Sequence, residues 1–335
     1  MNLEKVEKLP PPPGVLSSLR AGFDVVSSHV WLILLPILFD SVLWLGPRLS
    51  VGTLYESFVS NMLEILRTRP MPEAQTKILT DSVTSFGGLN WVSWMRTFPV
   101  GISSLDAFGL PDKFPLHTPV GLQAVIQLDS FISLLGWTFV LTLIGWIGGS
   151  LYFRWVSMTA LGETDAGITP GRGLAQTVVL SLVWMLALGV IMLPVTLVLG
   201  AVNLVSPILS NGILFVLVLL SYWLIVPLFF TPHGIFARKQ NAFHSMYTSL
   251  RMSRFTFPSS GMFVLTIFVV TRGLNYLWNV PTSDSWMKLV GIFGHAFTST
   301  TLLAASFVYY RDINGWLQIM LEQLQRQRGL PTQHA

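Results

Sequence analysis

The chain has 335 residues, of which 52% are hydrophobic and 11% charged, with a net charge of +4 and no cysteine. That charged fraction is under half the roughly 25% of ordinary globular domains, which with a mean hydropathy of +0.61 excludes a water-soluble class. The missing thiols exclude disulfides, thiolate metal sites and thiol catalysis; the scattered histidines show no metal-ligand spacing, and no basic run interleaved with aromatics fits nucleic acid.

In chain order, residues 1–29 read as a cytosolic tail with a proline run at 10–13, followed by an interfacial helix with Leu16, Leu19, Phe23 and Val26 at helical spacing. Residues 30–47 form the first span, short and kinked at Pro36, with Asp40 about a turn and a half from its outer end. Residues 48–129 contain no run fit to span and read as an extracytoplasmic, mostly helical cap. It has an amphipathic stripe from Val51 to Leu66, a second helix from Pro72 to the Gly87-Gly88 pair, and an aromatic loop with Trp91, Trp94, Phe98, Phe108 and Phe114. Thr118-Pro119 reads as the start of a helix that leads into the second span.

Residues 130–311 hold five more spans: Phe131 to Phe153, Thr177 to Leu199, Ile208 to Phe230, Gly261 to Asn279 and Leu289 to Tyr310. In the second span, Gly145 and Gly149 form a GxxxG pair that lets another helix approach closely. Gly162 to Gln176 reads as a polar turn. Thr231 to Pro258 carries Arg238, Lys239, Arg251 and Arg254 without an acid, which suits a basic amphipathic segment along the inner interface, facing lipid. Residues 312–335 form a cytosolic amphipathic tail. The fold class expected is all-α: a polytopic transmembrane bundle of six spans with a cap between the first and second.

Lys and Arg crowd the tails and the loops at 154–176 and 231–258, whereas the opposite short loops hold only Lys288. The positive-inside rule then places both termini in the cytosol and the cap outside.

A cationic side chain deep in a span costs at least about 2.5 kcal/mol unless something meets it. Arg272 in the fifth span therefore calls for a partner, and Asp40 in the first span and His295 in the last are the candidates. With this topology all three lie roughly 8–13 Å from the outer ends of their helices, at 1.5 Å per residue. Arg272, Asn275 and Asn279 recur at i, i+3, i+7, which makes Asp40, Arg272, Asn275 and His295 a candidate intramembrane polar site. It reads as an ion pair that sets helix register, as a proton or anion site open to the outside, or, if the fifth span ends near Arg272, as an arginine that simply snorkels. No serine-hydrolase elbow, paired catalytic carboxylates, dinucleotide fingerprint or intramembrane-protease pattern is present, so no catalytic residue, cofactor or metal is expected.

The stretch PLFFTPHGIFARKQNAFHSMYTSLRMSRFTFPSSG ends one span in proline, continues as a short basic amphipathic helix and enters the next span through an aromatic-proline pair. In this it resembles the six-span membrane domain found ahead of some bacterial glycerophosphodiester phosphodiesterases, and related bacterial integral membrane proteins. The resemblance implies architecture and a bacterial cytoplasmic membrane; it carries over no functional residue. The function expected is a non-enzymatic scaffold or accessory subunit, with membrane lipids and other membrane subunits as partners. The alternative is a transporter component that uses the polar site.

Overall fold

The computed structural model describes residues 11–66, 83, 87–107, 116–162 and 167–327. It is an all-α polytopic protein. Among the described residues, five helices are long and apolar enough to cross a membrane, and a sixth span is reached if Val15–Ser28 and Val30–Leu45 count as one.

The elements are α1 (Val15–Ser28), a 3-10 turn (Val30–Ile33), α2 (Leu34–Leu45), β1 (Arg48–Ser50), α3 (Gly52–Leu66), a second 3-10 helix (Trp91–Met95), β2 (His117–Thr118), β3 (Gly121–Leu122) and β4 (Val125–Gln127). Then come α4 (Phe131–Leu161), α5 (Pro170–Val205), α6 (Pro207–Phe229), α7 (Thr231–Arg238), α8 (Ala242–Trp278) and α9 (Lys288–Gln327).

Several sequence expectations change. Thr118-Pro119 does not start a helix: Thr118 Oγ1 donates to Gly121 O at 2.8 Å, and Gly121 takes φ of +118°, closing a β2-β3 turn instead. The helix of the second span starts at Phe131. In the 162–176 segment, Pro170 opens α5 because a proline at the first helical position lacks only an N–H that would be unpaired anyway. The basic segment is not one interfacial helix. It divides into α7 and the first turns of α8, which continues through Pro258 into the fifth span as one 37-residue helix. The sixth span and the amphipathic tail are likewise one 40-residue helix, α9, about 60 Å long. The cap carries short strands as well as α3, with β1 parallel to β4 and β2 antiparallel to β3. Residues 1–10 of the tail and nearly all of the cap helix expected after Pro72 lie outside the described residues, and Pro11, Pro12 and Pro13 are in neither helix nor strand.

The chain divides into two compact units. One comprises residues 1–29, 153–270 and 301–335. Its apolar core is aromatic: Phe263 stacks on Tyr309 at 4.0 Å, and Phe230, Tyr310, Val226 and Ile313 surround them. Gly22 lets α1 lie directly on α9, since a Cβ there would stand 2.5 Å from Thr301 O. Ser245 and Ser249 of α8 donate at 2.5 Å to the carbonyls of Thr231 and Pro227, tying α8 to the α6-α7 joint.

The other unit comprises residues 30–152 and 271–300. Phe39, Leu43, Leu49, Val92, Ile102, Leu128 and Leu141 form its core. Gln123 Nε2 donates to the carbonyls of Leu43, Trp44 and Gly46 at 2.8–3.3 Å, so a side chain of the cap closes the open end of α2.

Candidate functional site

The polar residues singled out from the sequence fall mostly in the second unit, around a non-helical loop, residues 96–107. Its apolar side chains Val100, Ile102, Leu105 and Ala107 are buried. Irregular backbone inside a membrane protein is tolerated only where it is buried in protein or lines a water-filled space, because its amides need partners.

Asp40 supplies them. Its carboxylate is fully buried and accepts from the Ser104 hydroxyl, from Leu105 N at 3.0 and 3.1 Å, and from Asp106 N at 3.5 Å. Ser104 Oγ in turn accepts from Ala107 N at 2.9 Å, which completes a turn of chain around the acid. The next charge, Asp106, pairs with Lys288 Nζ at 2.7 Å, and the same ammonium donates to Asn279 Oδ1 at 3.2 Å. Ser103 and Ser299 hydroxyls meet at 2.7 Å, and Tyr152 OH meets Thr300 Oγ1 at 2.9 Å. Arg48, in β1, is also buried; burial pushes its guanidinium below its usual range and the charge of Asp106 opposes that shift.

His295 and Asn275 come together, with imidazole Nδ1 at 2.8 Å from Asn275 Oδ1, so Nδ1 carries the proton in this arrangement. Among the described residues Nε2 of His295 is buried without a hydrogen-bond partner, and its charged neighbours are Arg96 and Lys288. Arg272 is not brought to Asp40. Its side chain is exposed, and the acid is taken by loop amides instead. Helix phase explains the split: Asn275, three residues beyond Arg272, sits half-buried toward α9, while Arg272 lies on the exposed strip of α8.

Gly145 and Gly149 do mark a close approach, but what approaches is the last residue of the second 3-10 helix and the loop that follows it, not another span. A Cβ on Gly145 would stand 2.3 Å from Met95 O, and one on Gly149 would stand 2.7 Å from Gly101 Cα. Between them, Gly148 faces the Ile102 side chain. The four basic residues Arg238, Lys239, Arg251 and Arg254 are all exposed, in the first unit; Arg238 lies over the Tyr310 ring at 5.9 Å, and Lys239 ends α7 with φ of +52°.

Sequence reasoning missed two features. Lys288 and Asp106 are 182 residues apart and gave no signal of pairing. His233 is buried among Phe229, Phe230, Phe307 and Tyr310, with Nε2 at 2.6 Å from Ser306 Oγ; a lone histidine between apolar spans has no local signature. The dyad is enclosed, and its geometry suits packing of the first unit.

A double-mutant cycle on Asp106→Asn and Lys288→Met is expected to return a coupling of about 1–2 kcal/mol in detergent melting, as for contacting charged pairs. Additive effects would show that the pair does not hold the loop. Among the described residues, no group of three or more histidine, aspartate or glutamate side chains is placed to hold a metal. Comparison with protein-family models, curated proteins and solved structures finds no match.

Proposed function

We propose that this protein is a non-enzymatic scaffold or accessory subunit of an assembly in the bacterial cytoplasmic membrane, with both termini cytosolic and the cap outside. One observation carries the reading. Both acids that could have served a moving cargo are engaged in holding residues 96–107: Asp40 by the loop's own amides, Asp106 by Lys288. A carboxylate with several donors around it anchors a backbone segment well and is poorly free to bind or release anything else. The distribution of Lys and Arg among the short segments supports the orientation.

Isolation from the native membrane in mild detergent, with mass spectrometry of what comes with it, tests the proposal. A second membrane protein at constant stoichiometry is the result expected. Recovery of the chain alone as a monomer overturns it.

The second reading, a transporter component, draws on the partnerless Nε2 of His295 beside Arg96 and Lys288. Anion flux into proteoliposomes that is lost in His295→Ala while the fold is kept would favour it over the scaffold.

A further inference from the structure

From Gly167 to Ser283 the chain contains no Asp or Glu, yet it carries Arg172, Arg238, Lys239, Arg251, Arg254 and Arg272. Within this span the first turns of α8 are built inside out for a helix in water. The face packed into the first unit is small and hydroxyl-rich: Ser245, Ser249, Ser253 and Thr256, with Met252. The opposite face carries Phe243, Tyr247 and Phe255, exposed by 65, 62 and 53%, together with Leu250, Arg251 and Arg254. Positions 243, 247, 250 and 254 lie within about 60° of one another at 100° per residue, so this is one continuous strip.

Two occupants could cover an apolar strip studded with arginines: anionic lipid or an acidic soluble partner. Continuity favours lipid. The same strip runs on through Met262, Leu265, Phe268 and Val269, all exposed, in the part of α8 apolar enough to cross a membrane. Arg272 follows Arg254 by 18 residues, about 27 Å of helix, close to the roughly 30 Å thickness of the hydrocarbon layer. Arginines at such positions keep their stems in the apolar layer and their guanidinium groups at the phosphates, while aromatic rings settle at head-group level.

We propose that the exposed face of α8 from Phe243 to Phe255 is a binding site for anionic phospholipid head groups, with Arg251 and Arg254 on the phosphates and Phe243 and Tyr247 at the glycerol level. Guanidinium matches phosphate in a two-pronged geometry, and the segment itself carries no carboxylate to compete with a phosphate for Arg251 and Arg254.

Native mass spectrometry of the delipidated full chain, supplied with phosphatidylglycerol or phosphatidylcholine, tests this. The wild type is expected to retain phosphatidylglycerol preferentially. Arg251→Ala with Arg254→Ala is expected to lower that retention about tenfold, since each basic residue near a membrane surface contributes appreciably, and to leave phosphatidylcholine unchanged. The paired Lys variant keeps the charge and is expected to keep the preference. Because both arginines are exposed, melting should not move, and the Lys variant guards against a folding artefact. No preference in the wild type, or a preference that survives loss of both arginines, overturns the proposal. So does an acidic soluble protein that co-elutes and is lost with the same two arginines.

Discussion

Asp40→Ala is expected to destabilise the protein by about 3–5 kcal/mol, because buried donors are left without an acceptor. The reason lies in what the substitution leaves behind. Asp40 is fully buried, and its two oxygens serve the Ser104 hydroxyl and the amides of Leu105 and Asp106. Each buried donor left without an acceptor costs about 1–3 kcal/mol, and hydrogen bonds to a charged acceptor stand at the upper end. With the oxygens of Asp40 gone, these buried donors lose their acceptors, so the loop must move or the donors stay unpaired. Asp40→Asn keeps one acceptor but turns an amide donor toward other donors, and should recover roughly half of the loss. Thermal unfolding in detergent reads the stability, and limited proteolysis across residues 96–107 reads the loop. A melting point unchanged in the alanine variant, with no new cleavage in the loop, would remove Asp40 as the anchor.

The glycine pair on α4 should give the next largest effect. Gly145→Ala places a Cβ 2.3 Å from Met95 O, and Gly149→Ala places one 2.7 Å from Gly101 Cα. Both neighbours are backbone, which cannot turn aside as a side-chain tip can, so each substitution is expected to cost about 1–3 kcal/mol by overpacking. A control sits on the same helix: a Cβ on Gly136 would meet nothing within 4 Å. There the intrinsic preference of helices for alanine over glycine, about 1 kcal/mol, acts alone, and Gly136→Ala should be neutral or stabilising. Opposite signs at Gly136 and at Gly145 or Gly149, read by thermal unfolding, separate helix propensity from collision. Equal effects at all three would mean that the loop does not press on this face.

These two expectations also show how far the residues alone could be read. Asp40 stood out as a charge in an apolar run that needed a partner, and GxxxG stood out as a site of close approach; both readings are local chemistry. What met them was not legible. The partners of Asp40 are one hydroxyl and two amides 64 to 66 residues away, and backbone amides are the same in every sequence. Small residues likewise admit a helix or a loop equally well, and only the path of residues 95–102 decided which. Arg272 and Asn275 form one polar stripe by spacing, yet the stripe is wide enough that one edge meets His295 and the other is exposed.

The sequence by itself determined the class and five of the six expected spans, because the cost of putting charge or unpaired backbone into lipid is large and falls on each segment separately. The tertiary structure decided which buried polar groups serve one another: Asp106 with Lys288, Asn275 with His295, Asp40 with the loop. Those choices depend on where distant backbone passes, and a hydrogen bond requires its partners within about 3 Å, a distance that no spacing along the chain encodes.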